Sequence, residues 1–375
     1  MSVEENKTLG VSVVVATRGR IHLVGKLLQS LQVARSQFHG KQEVIVVDDS
    51  LDSEAEQLAT LCTQYNAKLL TQGPNVTIKR NYGAEFAQYD ILLFLDSDCA
   101  ATPQLLGEHE RYYHNPDIGA VLGLLEFVGP DSWFWKAIQL TPFVMPFNFP
   151  KFMEDAPWGP SANLSVRRDV FQAIQGFDET FPQRPGGEDV DLGLRVAKAG
   201  YRIRCNPNAV AHHSKETWIP VRTMCHRLFH WGIAECFLME RHPDQVVTTL
   251  PRKSLVFTTT AWLMFVLALL TGKWRLVAIF PLWVVTDILL QATLQLLWAG
   301  HSLSQLLQQF VAVLLVLVNE LGMVRELIRR RRWRYWTSQM LYTPGQMEGE
   351  WHFGGSKMWG LFFGIWFLLG LILIP

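Results

Sequence analysis

The sequence predicts an α/β fold with a mostly parallel sheet, followed by C-terminal transmembrane helices. Two observations lead to this prediction. Between residues 10 and 215, short runs rich in Val, Ile and Leu alternate with stretches of helical pattern, as in βαβ units. After Pro251, the apolar runs become long enough to cross a bilayer core of about 30 Å.

The first part of the chain is predicted to contain alternating strands and helices. The strands are almost continuously apolar, which is typical of strands buried on both faces of a sheet. The predicted strands are residues 11–16, 43–47, 67–71 and 91–95, and the predicted helices are residues 21–31, 53–64 and 76–87.

The last third of the chain is predicted to lie in a membrane. The predicted spans are residues 255–270, 276–298 and 358–374, with a weaker run at residues 303–318 that three glutamines interrupt. The arginine-rich residues 325–334 should face the cytoplasm, and four spans would place them outside. We therefore expect residues 303–318 to lie along the interface or to be re-entrant, which leaves three spans.

Two features of this part have more than one interpretation. Asp287 is an acid within an apolar run, and it is costly there unless it faces protein or water. It is either a packing contact or part of a path for a lipid acceptor. Residues 221–241 mix basic and large apolar side chains, which favours an amphipathic helix at the membrane surface. Ordinary packing against a domain is the alternative.

The composition excludes several classes of protein. The formal net charge is +0 and 18% of the residues are charged, so bulk charge does not indicate a nucleic-acid partner. The five cysteines show no Cys-x-x-Cys spacing, which predicts reduced thiols rather than a disulfide framework or a zinc site. Residues 1–10 are polar and carry acids, so we expect no cleavable signal peptide. The reduced thiols favour a cytoplasmic location for the N-terminal domain.

Two carboxylates follow the buried strand at residues 91–95. Asp96 and Asp98 come at its C-terminal end, and ligands of open α/β sheets bind outside that end of the strands. Such carboxylates can hold Mg²⁺ or Mn²⁺ while a nucleoside diphosphate and water fill the other positions. The alternative is a polar strand end with a helix cap.

Other polar residues follow the neighbouring strands. Thr17 and Arg18 open a Gly-containing turn before a helix, where free backbone N–H groups can bind a nucleotide. Asp49 follows the second strand and can accept hydrogen bonds from a base or a ribose. Lys79 and Arg80 lie on a predicted helix just before the Asp96 strand, where these basic side chains either lie near diphosphate oxygens or are solvated. Asn81 follows them and is a further candidate contact of the nucleotide sugar.

In this order, the motifs resemble those of the family 2 glycosyltransferases, whose GT-A fold is Rossmann-like and binds nucleotide sugars. Val47-Asp48-Asp49-Ser50-Leu51-Asp52 is similar to the family's Val-Asp-Asp-Gly-Ser-x-Asp, although the Gly is missing. Lys79-Arg80-Asn81-Tyr82-Gly83 is similar to Ala-Arg-Asn-x-Gly, and Leu95-Asp96-Ser97-Asp98 to Leu-Asp-x-Asp. The resemblance implies that Asp49 contacts a uracil-type base, Asp96 the ribose or a metal-bound water, and Asp98 the metal.

The resemblance continues into the second half of the domain. Gly186-Gly187-Glu188-Asp189 opens a predicted helix, where the family holds the base that activates the acceptor. This implies that Asp189 is the base and that Glu188 assists it or orients the acceptor. His212 and His213 follow the next strand, where the family often has a histidine near the diphosphate or the metal. The spacing from Pro207 favours His213, although strand parity allows either to face inward.

Together these features predict a metal-dependent, inverting glycosyltransferase with Mg²⁺ or Mn²⁺ as cofactor. The expected donor is a nucleotide sugar, a UDP-sugar in first place, and the acceptor is a hydroxyl of a glycan or lipid-linked intermediate. Membrane lipid is an expected partner and nucleic acid is not. Two alternatives stay open, namely transfer to a polyprenyl phosphate and a catalytically inactive membrane scaffold.

The predicted domains follow from the same features. Residues 1–215 form the GT-A domain, residues 216–252 an interfacial amphipathic segment, and residues 253–375 a membrane region with three to four helices. We therefore expect a multi-pass protein of the cell membrane. Processive synthases of this superfamily carry Gln-x-x-Arg-Trp, but Arg227-Leu228-Phe229-His230-Trp231 keeps only the Trp, which weakens a processive interpretation.

Overall fold

A computed structural model of the protein describes residues 9–182, 186–249 and 251–342. Within this part of the chain there are two compact units. The first contains the residues up to Pro130 together with Val144–Pro220, and the second contains Asp131–Phe143 together with the residues from Val221 onward. The predicted span at residues 358–374 lies outside the described residues.

The first unit contains all of the strands and helices that the sequence predicts for it. Between residues 11 and 214 the elements are, in chain order, β1 (Val11–Thr17), α1 (Ile21–Gln37), β2 (Gln42–Asp48), α2 (Asp52–Gln64), β3 (Lys68–Thr71), α3 (Val76–Glu85), β4 (Ile91–Asp96), β5 (Cys99–Ala101), α4 (Leu105–Glu110), β6 (Ile118–Val128), α5 (Trp133–Gln139), β7 (Asp155–Ala156), β8 (Asn163–Arg167), α6 (Arg168–Ala173), α7 (Glu188–Lys198) and β9 (Arg202–Ser214). Helix α5 belongs to the second unit. Helix α1 continues beyond its predicted end at residue 31, and Ala34 in the added turns is still fully buried.

The core of the first unit is a mixed sheet, which confirms the predicted α/β class. Among the described residues its strands have the order β3-β2-β1-β4-β8-β6-β9-β5, with β7 paired to β9. The first four strands are parallel, β8 is antiparallel to β4 and β6, and β6 is parallel to β9. This is a GT-A-like architecture, in which helix-connected parallel strands precede an antiparallel region.

The register of the central strands brings their polar ends together. Thr17 at the end of β1 is paired with Asp48 at the end of β2, and Ala16 is paired with Asp96 at the end of β4. The five residues of β4 that precede Asp96 are buried, so the strand cannot slip without exposing an apolar row. The polar residues that follow these strands therefore meet at one edge of the sheet.

The second unit is largely helical. Its elements, besides α5, are α8 (Val221–Arg241), β10 (Val246–Thr248), α9 (Lys253–Thr271), α10 (Arg275–Trp298), α11 (Leu306–Arg330) and β11 (Ser338–Met340). Strands β10 and β11 pair antiparallel. The weak run at residues 303–318 begins with a 3-10 turn at Leu303–Gln305, and its remainder is the first part of α11, which continues to Arg330 and packs closely against α8.

Two helical segments in the described part of the chain are long and apolar enough to cross a membrane. They are Lys253–Thr271 and Phe280–Leu297, which correspond to the first two predicted spans. Within the second, Asp287 accepts a hydrogen bond of 2.8 Å from the Lys253 ammonium, which also donates to Gln291. The acid is therefore paired, as the packing interpretation of Asp287 requires.

Helices α8 and α11 approach each other at two glycines. A Cβ atom on Gly232 would lie 1.8 Å from the backbone oxygen of Asn319, and one on Gly322 would lie 1.9 Å from that of Phe229. Near this crossing the Asn319 side chain donates a hydrogen bond of 3.0 Å to the Leu228 carbonyl. Only glycine permits this separation, because the obstructing atoms belong to the backbone and not to a movable side chain.

This crossing leads to a prediction about stability. Gly232→Ala should lower the free energy of unfolding by about 1–3 kcal/mol, because an inserted methyl forces the helices apart. Denaturant unfolding of the purified full chain in detergent measures the change. The control is Gly107→Ala on α4, where nothing lies within 4 Å of the new methyl. Equal stability of the two variants would contradict the close crossing.

Candidate active site

Arg80 joins two carboxylates that come from different parts of the first unit. Its side chain is almost fully buried, and it donates hydrogen bonds of 2.9 Å to Asp96 and 3.0 Å to Glu188. Asp96 ends β4, whereas Glu188 begins α7. Burial alone would raise the pKa of Asp96, but His213 and Arg80 hold it well below its usual range. Asp96 therefore stays ionised, and one guanidinium links the two segments.

Asp98 and His213 lie next to each other beyond the end of β4. The distance from Asp98 Oδ1 to His213 Nε2 is 3.6 Å, and both side chains are buried. Asp98 Oδ2 accepts a hydrogen bond of 2.8 Å from the Thr217 hydroxyl and lies 3.3 Å from the Arg20 guanidinium. Carboxylate oxygen and imidazole nitrogen are suitable ligands for Mn²⁺, and the carboxylate also for Mg²⁺. The side chains present thus fit the expected cation.

The structure distinguishes the two predicted histidines. The His213 side chain is 4% exposed and lies near both Asp96 and Asp98. The His212 side chain is 38% exposed and lies 3.7 Å from Glu126. Neighbouring residues of a strand point to opposite faces, so only one of the two can face the carboxylates.

Aromatic rings surround His213 on its other sides. The rings of Phe127, Phe147 and Trp218 have their centroids between 5.1 and 6.4 Å from that of His213. Burial among them would lower the pKa of His213, but the charges of Asp98 and Asp96 raise it above its ordinary value. The rings restrict the imidazole so that it faces the carboxylates.

Lys79 links the residues that are predicted to contact the nucleotide. Its ammonium donates a hydrogen bond of 2.7 Å to the Thr17 carbonyl and forms an ion pair with Asp49. Arg18, which is largely exposed, lies 3.6 Å from the same carboxylate. Lys79 is buried, so the alternative that its side chain is merely solvated does not hold. The ends of β1 and β2 are thus held together by one charge.

A hydroxyl provides a second link between these two strand ends. Ser50 donates a hydrogen bond of 2.7 Å to Asp48 and accepts one of 2.6 Å from the backbone N–H of Gly19. Gly19 has φ of +64°, a conformation that glycine adopts without strain. The turn that contains Arg18 is therefore fixed against the loop that contains Asp49.

Asn81 holds a loop in the described part of the chain. Its amide donates hydrogen bonds of 2.8 Å to the Phe177 carbonyl and 2.9 Å to Glu179, and its oxygen accepts one of 2.8 Å from the Phe177 backbone N–H. The predicted nucleotide contact of Asn81 would have to compete with these three bonds. Its position is that of a residue that orients the segment before α7.

Helix α7 begins with two acids next to a glycine. Gly187 caps the helix with φ of +82°, and the Gly186 N–H donates a hydrogen bond of 2.6 Å to Glu188. Asp189 is partly exposed, and its carboxylate accepts a bond of 2.9 Å from the Val190 N–H. Burial and the neighbouring Glu188 raise the pKa of Asp189 to about 7, against the opposing effect of Arg80. Such a carboxyl group can accept a proton near neutral pH.

The structure gives Arg80 two partners that the sequence did not indicate, Asp96 and Glu188, and it also brings Thr217 and Arg20 to this site. Arg80 lies between the predicted Lys79 and Asn81, on a helix face with the buried Thr77 and Ala84. A basic residue on a buried face could have signalled a paired charge. Thr217 and Arg20 gave no such signal, because they are distant from Asp98 in sequence and come into contact with it only when the chain folds.

Family comparisons agree with this architecture. The model of a family described as glycosyl transferase family 2 matches residues 12–174, and that of a family described as N-terminal domain of galactosyltransferase matches residues 147–219. The second match contains Glu188, Asp189 and His213. The two matches together cover the elements that carry the site.

Curated relatives are similar over the same part of the chain. The O-antigen biosynthesis protein RfbC of Myxococcus xanthus is 28% identical over 54% of this chain and 17% of its own length. The pre-mycofactocin glycosyltransferase of Mycobacterium tuberculosis is 28% identical over 63% of this chain and 48% of its own. The chain thus spans about half or less of the length of these relatives.

A solved structure shares the fold. It is a mannosyltransferase from Pyrobaculum calidifontis in complex with GDP-Man and Mn²⁺, with a TM-score of 0.53 and 16% identity. The match covers 87% of this chain and 89% of the other. At this identity the similarity supports the fold.

Proposed function

We propose that this chain, which carries a glycosyl transferase family 2 domain, moves a sugar from a nucleotide-sugar donor to an acceptor hydroxyl with inversion of configuration. The main support is the link through Arg80, which holds Asp96 and Glu188 at one edge of the sheet. Asp96 adjoins the candidate metal ligands, and Glu188 adjoins the candidate base. The residues proposed to bind the donor and the residue proposed to activate the acceptor therefore lie at the same edge of the sheet.

The donor side is assigned to residues at the ends of β1, β2 and β4. Asp49 would contact the base, and the turn at Thr17 and Arg18 would contribute backbone N–H groups. We take a UDP-sugar as the first candidate donor, because the resemblance gives Asp49 a uracil-type contact. The structurally similar mannosyltransferase binds GDP-Man, and guanine also offers an N–H to a carboxylate.

Asp98 and His213 would hold the divalent cation, Mg²⁺ or Mn²⁺. When bound there, the cation supplies Lewis-acid stabilisation of the diphosphate that leaves. The solved mannosyltransferase contains Mn²⁺, which supports this choice of cofactor. Thr217 donates to Asp98 and thereby fixes the orientation of that carboxylate.

Asp189 would act as the base for the acceptor. As the acceptor oxygen forms its bond to the anomeric carbon, its proton passes to Asp189 and the bond to the diphosphate oxygen breaks. A single displacement of this kind inverts the anomeric configuration. Glu188 is committed to Arg80 and to the Gly186 N–H, so it positions the start of α7 and is not itself placed to take the proton.

The acceptor is proposed to be a glycan or lipid-linked intermediate of a polysaccharide or cell-surface glycan. The apolar segments Lys253–Thr271 and Phe280–Leu297 support attachment to the cell membrane, with lipid as a partner. The relative RfbC is named for O-antigen biosynthesis, which is consistent with an acceptor of this class. We place the catalytic domain on the cytoplasmic side, where nucleotide sugars would reach it.

Release of nucleoside diphosphate by the full chain in detergent tests the proposed function. The screen uses UDP-, GDP- and dTDP-sugars, each with Mg²⁺ or Mn²⁺. We expect turnover with one donor and a loss of at least about 100-fold in Asp98→Ala, because several kcal/mol of charge stabilisation disappear. Asp117→Ala, at an exposed position distant from Asp98 in sequence, is the control. Binding of no nucleotide at all would overturn the proposal in favour of a scaffold.

The pH dependence tests the role of Asp189. Because its pKa is about 7, kcat/KM should rise with pH through about 7 as the base becomes ionised, and level off about one pH unit above that value. Asp189→Asn should lower the rate by about 10²–10⁴-fold and remove this rise. Asp117→Asn should keep it. Full activity in Asp189→Asn would instead indicate an acceptor that is already ionised, such as a polyprenyl phosphate.

A further inference from the structure

A thiol lies beside the candidate metal ligands. Cys99 begins β5, and in the antiparallel pair of β5 with β9 it lies directly opposite His213. Directly opposed residues place their side chains on the same face of a sheet. The ligand atoms of Asp98, Cys99 and His213 lie within 4.8 Å of one another, and all three residues are buried. The fold thus assembles an oxygen, a sulfur and a nitrogen around one point.

The spacing of these atoms is close to that of a tetrahedral zinc site. With bonds of about 2.0–2.3 Å, Zn²⁺ separates its ligand atoms by about 3.3–3.8 Å. The distance from Asp98 Oδ1 to His213 Nε2 is already 3.6 Å. The sulfur has to move by no more than about 1 Å to match, which a rotation of the Cys99 side chain can supply. In the present arrangement Cys99 Sγ lies 3.6 Å from the Ala162 carbonyl, a weak contact to give up.

We infer that Asp98, Cys99 and His213 form a site for thiophilic divalent cations, with Zn²⁺ as the principal ligand, and that occupation of this site inhibits the enzyme. The inhibitory part of the inference rests on the proposed function. On binding, the Cys99 thiol loses its proton to solvent, and the sulfur forms a bond to the metal. Three protein ligands leave Zn²⁺ one further position.

Inhibition follows from the different ligand preferences of Zn²⁺ and of Mg²⁺ or Mn²⁺ at these residues. Mg²⁺ and Mn²⁺ prefer oxygen ligands and keep several positions for diphosphate and water, so the thiol has no part in holding them. Zn²⁺ binds a given site of nitrogen, oxygen and sulfur ligands more tightly than Mn²⁺. With the thiolate as third ligand, Zn²⁺ occupies the same two residues and cannot hold the diphosphate by two oxygens. The thiol therefore makes the site vulnerable to a soft metal.

Cobalt absorption tests the site without any turnover. Addition of one equivalent of Co²⁺ to the full chain in detergent should produce a thiolate-to-cobalt charge-transfer band, which Zn²⁺ then removes by displacement. The band should be lost in Cys99→Ser and in Cys99→Ala. The band should persist in Cys205→Ser, because Cys205 is also buried but belongs to the first half of β9, away from His213 in sequence. Cys225 is unchanged in every variant and gives the same background.

Inhibition by Zn²⁺ tests the consequence. Each variant is compared with its own uninhibited rate in Mn²⁺, and the half-inhibitory Zn²⁺ concentration should rise at least about tenfold in Cys99→Ser but not in Cys205→Ser. Absence of the cobalt band in the unmodified protein, or its persistence in both Cys99 variants, would overturn the inference. A cobalt band in a protein that binds none of the nucleotide sugars would leave this metal site standing and remove the proposed function.

Discussion

The site depends on one buried guanidinium. Arg80 is enclosed by protein and contacts both Asp96 and Glu188, which lie distant in sequence. Arg80 and Glu188 are buried, whereas Asp96 stays partly exposed. Taking a charged group out of water costs several kcal/mol, and only good geometry and further hydrogen bonds offset this cost. The Gly186 N–H donates to Glu188 and His213 lies close to Asp96, so each carboxylate has a second stabilising neighbour. Because losing either contact of the buried Arg80 would leave a charge unpaired, these contacts fix the start of α7 relative to the end of β4.

Three consecutive residues of α3 organise the surroundings of the site. Lys79 joins the ends of β1 and β2, Arg80 joins β4 to α7, and Asn81 holds the segment at residues 177–179. Successive residues on a helix point about 100° apart, so one short stretch can reach three different partners. Asn75 caps this helix by accepting a hydrogen bond from the Thr77 N–H, and the cap holds its first turn in place.

The sequence predicted the strands and helices of the first unit because their apolar runs are long and their boundaries are marked by Asp, Gly and Pro. It also indicated that Asp98 follows a strand and that the acids of α7 open a helix. Their roles, which the family resemblance implies, stay predictions. The choice between His212 and His213 needed the parity of β9, and a single residue reverses it. The partners of Arg80 and Thr217 could not be identified in this way, because they are distant in sequence and no local pattern records such contacts.

In the second unit, too, the sequence does not reveal the partner of a charged residue in apolar surroundings. Asp287 gave two interpretations as a sequence feature, and its pairing with Lys253 depends on how α9 lies against α10. The close crossing of α8 and α11 likewise depends on Gly232 and Gly322, which the sequence shows only as isolated glycines. The sequence therefore predicts the helices of this unit, but the contacts between pairs of helices are known only from the structure.

The most direct test of this account is a double-mutant cycle of Asp96→Asn and Glu188→Gln, measured as the free energy of unfolding of the full chain in detergent. If both carboxylates share Arg80, the two effects should be non-additive by about 0.5–3 kcal/mol. The non-additivity should vanish when the cycle is repeated in an Arg80→Met background. Additive effects in the presence of Arg80 would contradict the claim that one guanidinium couples the metal side of the site to the acceptor side.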